Sequence, residues 1–471
     1  MIVPKTAVEL MPHQVEGVSF ALERQRVLIA DEMGVGKTPT GVAIAVASVE
    51  ANMTPVLVVV PPSMRLQWTR EFERFAPQVK TATITGTNPK SKKVQSLPKA
   101  DVLIIGDTSL SGWRHLLVGN IAGMIVDECH RMKDAKRAKR SRACIDIAQS
   151  VPDDGIKVAM SGTPLINKPV ELVPIIRMLN QEQSFEGGLA GFLARYAPRI
   201  DRFGSRGAQR LDELHDVLTD SFMIRRKREQ VLTLPNKGRI QMSIEMSEEY
   251  RKKYLFAERD LYTWIKITKG EEKAESSMRA EALVKINELR RLSAMGKVDA
   301  VVAYTRDLLK QDEQVFLTCA FIDEAKAYYE AFRESHNAVR VVGGMTDIEK
   351  MQAVDAFQDG KARVLVGNIV ASGTGLTLTR GRHHVSCSLP YTSADLLQCE
   401  DRLARHGQTR EVVSHIMLSA IPEHITIDER MIALLERKND ILTSVLDGEA
   451  TDLLDHDSEA VAMQVLRSYG W

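Results

Sequence analysis

Residues 31–38, D-E-M-G-V-G-K-T, carry the first chemistry in the chain. They fit the phosphate-loop pattern G-x-x-x-x-G-K-[ST] at Gly36, Lys37 and Thr38, while Asp31 stands where the first glycine belongs. The apolar run R-V-L-I-A before the loop reads as a short strand, and the spacing after Thr40 reads as a helix. Between them, the backbone N–H groups of Met33, Gly34, Val35 and Gly36 would converge on an anion at the electropositive end of that helix. Lys37 would reach the β and γ phosphates of ATP, and the Thr38 hydroxyl would hold Mg2+. Asp accepts turn dihedrals that most other residues avoid, so Asp31 need not break the turn. The competing reading is a purely structural glycine turn.

Hydrolysis needs more than a phosphate cradle. In M-I-V-D-E-C-H, Asp127 and Glu128 end an apolar strand, where Asp127 suits the Mg2+ shell and Glu128 suits deprotonation of an attacking water. Adjacent acids also end strands by chance, and the upstream loop is what favours the catalytic reading. Ser161 and Thr163 in M-S-G-T-P follow the next strand; they would link the γ-phosphate region to movement, or form an ordinary polar turn. Arg402 and Arg405 are three apart, a spacing that puts both on one face of a helix. They suit a transition-state clamp on phosphate, worth roughly 10³ to 10⁵ in rate where such arginines are measured. Alternatively they pair on the helix surface with Glu400 and Asp401.

The elements that must position these groups come in two series of short apolar strands alternating with helices. The first comprises residues 26–30, 56–60, 101–105, 123–128 and 157–162, and the second 315–319, 339–342, 363–367, 383–388 and 412–418. Such alternation predicts an α/β fold of two doubly wound parallel sheets, each covered on both faces. A charged stretch from about Lys168 to Met295 reads as largely helical. The expected domains are 1–238 with a helical insertion at about 168–225, 239–446 with an insertion at about 245–295, and an acidic, flexible tail at 447–471.

Composition narrows the class. The five scattered cysteines contain no C-x-x-C pair, which argues against structural zinc and for buried thiols in a reducing compartment. No run approaches the roughly 18 apolar residues of a membrane span, and the first residues lack a signal-peptide core. The net charge is +1, so affinity for nucleic acid must come from local patches. One holds Arg131, Lys133, Lys136, Arg137, Lys139, Arg140 and Arg142; the other holds Arg225, Arg226, Lys227 and Arg228. Each is either a phosphate-contacting surface or a solvated face. Aromatic residues are 5% of the chain and none interleaves with these patches, which favours tracking of a duplex backbone over stacking on single strands.

Taken in order from about Leu10 to Ile441, these strings resemble the Swi/Snf-like branch of the superfamily-two helicases, the double-stranded DNA translocases. That family writes its loop D-E-M-G-L-G-K-T, so the resemblance makes Asp31 the family's own residue. L-M-P-H-Q-V-E-G resembles the adenine-reading segment, with Gln14 as the reader. P-P-S-M-R-L-Q-W-T-R-E resembles a motif whose start, here Pro62, Ser63 and Arg65, lies along DNA. D-E-C-H-R-M-K-D and F-M-I-R-R-K-R-E-Q-V-L-T-L-P resemble two more signatures, the latter most specific to the branch. A-S-G-T-G-L-T-L, with Gly373 and Gly375, resembles a nucleotide-side segment, and E-D-R-L-A-R-H-G-Q gives Gln408 a coupling role beside the arginines. Departures fall at Met351, which has Lys350 beside it where an arginine is usual, at Ala404 in place of a histidine, and at Cys129 and Asp134 in the acidic motif.

The resemblance implies a compact motor of bacterial or viral type that uses ATP and Mg2+. It would be monomeric and cytoplasmic, in a bacterial cytosol or an infected host, and would move along double-stranded or branched DNA without any membrane association. Fork remodelling, branch migration or displacement of bound proteins would be its work. A strand-separating DNA or RNA helicase is the alternative enzyme, and a nucleotide-binding scaffold without turnover is the alternative of another class.

Overall fold

The protein is described by a computed structural model over residues 4–87, 89, 96–132, 138–164, 168–199, 207–232, 235–268, 275–372, 376–405, 407–436, 465–466 and 468–469. Two compact units divide it, the first extending to Thr233 and the second starting at Leu234.

In the first unit, β1 (Arg26–Ile29), β2 (Val56–Val60), β3 (Thr81–Ile84), β4 (Val102–Gly106), β5 (Gly123–Asp127), β6 (Lys157–Met160) and β7 (Met223–Ile224) form one sheet. Its order is β3-β4-β2-β5-β6-β1-β7, and every pairing is parallel. Both faces are buried, as the near-continuous apolar strands require. Leu57, Val59, Leu103 and Ile105 pack into one core, while Val56, Val58, Val60, Val102 and Ile104 pack into another. This is the period-two alternation of a pleated strand, with helices covering each side.

The parallel register fixes where the loops emerge. Ile29 and Asp127 both lie level with Met160, and Val59 lies level with Val126. The segments after β1, β2, β5 and β6 therefore leave the same edge, the carboxyl end of the sheet, where α/β folds place their ligands.

The second unit contains β8 (Lys237–Glu245), β9 (Val315–Cys319), β10 (Val339–Val341), β11 (Val364–Asn368), β12 (His383–Ser386) and β13 (Val412–Ala420). They run β10-β11-β9-β12-β13-β8, again all parallel. The two doubly wound sheets predicted from the alternation are present.

Three strands were not anticipated. The stretch between 168 and 295 is largely helical among its described residues, including Glu248–Thr268 and Glu275–Gly296, but it also holds β7 and the nine-residue β8, which were not expected from the sequence. β8 is a sheet edge with a partly exposed, polar face, so its alternation K-G-R-I-Q-M-S-I-E lacks the apolar run that marks the inner strands. β3, the T-A-T-I edge strand, escaped for the same reason.

All five cysteines are buried thiols. Among the described residues no helix is long and apolar enough to cross a membrane. Residues 447–464 of the acidic tail lie outside the described residues; beyond them Val465, Leu466 and Tyr469 are buried in the second unit, with the Tyr469 hydroxyl donating to Glu258 Oε1 at 2.9 Å.

Candidate active site

The phosphate loop forms as its sequence requires. β1 ends at Ile29, and the chain turns through Gly34 at φ 84° and Gly36 at φ 97°, two conformations that only glycine adopts freely. Gly36 caps the helix Lys37–Glu50. A Cβ on Gly36 would also come within 2.6 Å of the Gln14 side-chain nitrogen, so a larger residue would have to displace Gln14 as well as adopt a strained φ. Lys37 Nζ donates to the carbonyls of Asp31 at 2.7 Å and Glu32 at 3.1 Å, which poises the ammonium over the turn. Thr38, half-buried, is the second residue of the helix.

The helix Pro12–Arg24 braces this loop. His13 Nε2 lies 2.9 Å from the Val35 carbonyl, and the Gln14 amide donates to the Gly36 carbonyl at 3.3 Å. Gln14 Oε1 in turn accepts from Met11 N at 2.9 Å.

Asp31 has a structural answer. β7 runs beside β1 with Ile224 level with Ile29, so two residues further on Arg226 lies level with Asp31. Arg226 Nε donates to Asp31 Oδ1 at 2.9 Å and Nη2 to Oδ2, while its backbone N–H reaches Oδ1 at 3.1 Å. Nη1 donates to the His13 carbonyl and to Glu16. Arg226 was expected along DNA; it is 7% exposed and its guanidinium is committed to the loop, so that expectation is corrected. Its neighbour Arg225 donates to the Ala30 carbonyl at 2.7 Å and to the Gly162 carbonyl at 3.5 Å. Arg228 N donates to Glu32 Oε2 at 2.7 Å. The string I-R-R-K-R thus clasps the phosphate loop from the sheet edge.

Asp127 ends β5 and Glu128 follows it, at 5% and 9% exposure. Trp68, wholly buried on the helix Arg65–Phe75, donates its indole N–H to Asp127 Oδ2 at 2.9 Å, and Glu128 N donates to Oδ1 at 2.9 Å. Burial first, then the adjacent Glu128, pushes the Asp127 carboxyl up to about 7, against the Trp68 hydrogen bond and the Lys37 charge. A buried oxygen pair with that much uncompensated negative charge fits a hard divalent cation such as Mg2+. Glu128 adopts φ 49°, a left-handed conformation uncommon for a residue with a side chain.

His130 ties the acids to the next turn. Its Nδ1 lies 3.3 Å from Glu128 Oε2 and 2.8 Å from Ser161 Oγ, which accepts from Thr163 N at 3.1 Å. Ser161 and Thr163 are buried, and a Cβ on the intervening Gly162 would lie 3.3 Å from Lys37 Nζ. Lys37, Asp127, Glu128 and Ser161 are therefore one cluster within the first unit. Trp68 and His130 had no role assigned from sequence; a tryptophan in an amphipathic helix reads as core, and only the fold brings its N–H to Asp127.

Of the residues expected on DNA, Pro62 and Ser63 form a short turn after β2, and Arg65 begins the helix that carries Trp68. Arg140 pairs with Asp107 at 3.3 Å, beside Arg131 at 2.7 Å on the same oxygen. Lys133, Lys136 and Arg137 lie outside the described residues, as do Gly373 and Gly375.

In the second unit the helix expected to carry both arginines is Ser393–Glu400 and stops before them. Arg402 and Arg405 sit in the turn beyond, so the shared helix face is corrected. Arg402 is 2% exposed, and Arg405 donates to the Asp401 carbonyl at 3.1 Å and to Thr377 Oγ1 at 3.3 Å. β8 reaches the neighbouring acids: Arg239 forks onto Glu400 at 2.8 and 2.9 Å, and Lys237 reaches Asp401 at 2.8 Å. Gln408 organises the turn, its amide nitrogen facing the carbonyls of Thr379, Gly381 and Leu403 and its oxygen accepting from Thr409 and Arg410.

A parallel sheet that brings a phosphate loop, a paired acid and a hydroxyl turn to one edge has the chemistry of a nucleotide hydrolase. The chain matches the SNF2-related domain over residues 13–295 and the Helicase conserved C-terminal domain over residues 296–407. It belongs to the SNF2-related family of helicase-like, DNA-dependent ATPases. It is 31% identical to the DNA annealing helicase and endonuclease ZRANB3 of Bos taurus over 464 residues, 95% of this chain and 42% of the relative. It is 27% identical to the SWI/SNF-related matrix-associated actin-dependent regulator of chromatin subfamily A-like protein 1 of Drosophila melanogaster, over 94% of this chain and 57% of that one. The chain thus spans about half the length of these relatives. A Sulfolobus solfataricus SWI2/SNF2 ATPase core in complex with dsDNA aligns over 95% of both chains at 19% identity, with a TM-score of 0.43.

Proposed function

We propose that this protein is an ATP-driven motor that translocates on double-stranded DNA and remodels forks or branches or displaces bound proteins. The observation that carries the reading is the clasp of I-R-R-K-R, the string most specific to the double-stranded DNA branch, on the phosphate loop through Asp31, Ala30 and Glu32. Support for DNA as the track comes from a relative that is named as a DNA annealing helicase.

In the proposed cycle Lys37 and the loop amides hold the phosphates, and Glu128, oriented by His130, takes the proton of the attacking water. Asp127 and Thr38 would hold Mg2+, which neutralises charge on the phosphates. Arg402 and Arg405 supply the opposing positive charge, and Ser161 and Thr163 pass the change to the DNA contacts. Each turnover then advances the duplex by a small step. We place the motor in the cytoplasm as a monomer.

The test compares stimulation of ATP hydrolysis by duplex DNA, single-stranded DNA and RNA, followed by displacement of a triplex-forming strand. Strong stimulation by duplex with triplex displacement is expected. Stimulation by single strands alone, with unwinding of a partial duplex, would replace this reading with a strand-separating helicase.

A further inference from the structure

Trp68 occupies a place that neither the nucleotide site nor the DNA contacts explain separately. It lies one turn into the helix Arg65–Phe75, whose first residue is Arg65 and which continues directly from the turn Pro62–Met64. Arg65 Nε donates to the Pro62 carbonyl at 3.1 Å, so turn and helix are fastened together. The indole is wholly buried and packs near Phe72, with ring centroids 6.2 Å apart. Its far edge presses on the phosphate-loop helix: a Cβ on Gly41 would come within 2.7 Å of Trp68 Cη2. Its N–H holds one oxygen of Asp127, and the Glu128 amide holds the other.

Resting on the reading of this chain as a duplex motor, we infer that Trp68 is a positioning residue that carries DNA engagement at Pro62–Arg65 to the metal-binding carboxylate of Asp127. A close-packed helix moves as a body, so displacement at its first turn shifts the indole with it. The N–H then fixes which lone pairs of Asp127 face the cation. Phosphate contact at one end of a single helix thereby sets the geometry of the metal shell at the other, and gives a route by which duplex DNA accelerates hydrolysis.

The experiment uses the full chain with Trp68→Phe, which keeps an aromatic ring and removes the donor. Hydrogen bonds to a charged group correspond to roughly a ten-fold effect or more in an equilibrium constant, so the Mg2+ concentration for half-maximal DNA-free hydrolysis should rise about ten-fold. The ratio of duplex-stimulated to DNA-free rate should fall towards one. Arg65→Ala should lower that ratio in the wild-type background and add little in Trp68→Phe, as a double-mutant cycle reads for coupled residues. A folded Trp68→Phe protein with wild-type Mg2+ dependence and stimulation would reduce Trp68 to packing. Should the variant not fold, the wild-type chain is labelled with 15N-indole tryptophan, its resonances assigned by substituting the other three tryptophans in turn. The Trp68 N–H signal is expected to shift on adding duplex, and a signal that stays put overturns the inference. Absence of duplex stimulation in the wild type would sink the motor reading itself. Stimulation that persists unchanged in Trp68→Phe sinks only the relay.

Discussion

Asp31 and Arg226 are 195 positions apart in the chain and form a buried forked pair, with side chains 1% and 8% exposed. Parallel pairing of β1 with β7 is what sets them side by side. An acidic residue in a phosphate-binding turn is therefore the anchor of the segment that closes the sheet.

Asp31→Gly, which restores the usual first glycine of a phosphate loop, should consequently harm the protein. Removing one partner of a buried pair costs up to about 3–5 kcal/mol when the other charge is left bare, and less here because Arg226 keeps the His13 carbonyl and Glu16. Urea unfolding should show that loss, and Asp31→Gly combined with Arg226→Met should recover most of it. Wild-type stability in the single variant would mean that the pair contributes nothing.

Glu128→Gln should bind ATP with Mg2+ close to normally, since Asp127 and Lys37 remain, yet hydrolyse roughly 10²- to 10⁴-fold more slowly for want of the base. Fluorescent-nucleotide titration and single-turnover rates check this. Loss of nucleotide binding would instead make Glu128 a structural residue.

Arg405→Ala separates two roles. Its described bonds run from the charged guanidinium to the Asp401 carbonyl and the Thr377 hydroxyl, and their loss should cost about 1–3 kcal/mol of stability. A transition-state clamp predicts in addition a fall in turnover of roughly 10³ with DNA and ATP binding little changed. Near-normal duplex-stimulated hydrolysis by the folded variant would leave Arg402 as the remaining candidate in this turn.

Acid should weaken the second unit through His383, His384 and His415, each held neutral chiefly by burial, with proton affinity lowered from 6.5 to about 4. His384 lies between Thr318 Oγ1 and Ser414 Oγ at 2.9 Å each. The folded value lies below the unfolded one, so stability is complete above pH 6.5 and is lost as pH falls towards 4, where the unfolded chain binds more protons. For His384 alone the loss at pH 4 is on the order of 3 kcal/mol. Urea midpoints between pH 7 and 4.5 should show the decline, and His384→Asn should flatten it; an unaltered slope would assign the acid sensitivity elsewhere.

The strands that position the site were readable because both their faces are buried, which writes them as unbroken apolar runs. The sheet edges β3 and β8 face water on one side and are polar, so their strings carry no such mark. Spacing placed Asp127 and Glu128 at the end of β5 and Lys37 at the start of the helix that follows the β1 loop, because each depends only on its own strand and the turn after it. Arg226 misled for the opposite reason: four successive cations look solvated until the fold delivers Asp31 and Glu16 to one of them. The helix after Thr392 stops at Glu400, where Lys237 and Arg239 of β8 hold the acids and Gln408 gathers the carbonyls of Thr379 and Gly381, partners distant in sequence.

The left-handed backbone at Glu128 sets chemistry against folding at a single position. A side chain there costs roughly 1 kcal/mol that glycine would not. A screen that rewards thermal tolerance alone should therefore favour Glu128→Gly, and under the proposed role of Glu128 as base the sturdier protein should no longer turn over ATP. On that proposal, a carboxylate retained here would be held by demand for work against a standing pull towards durability.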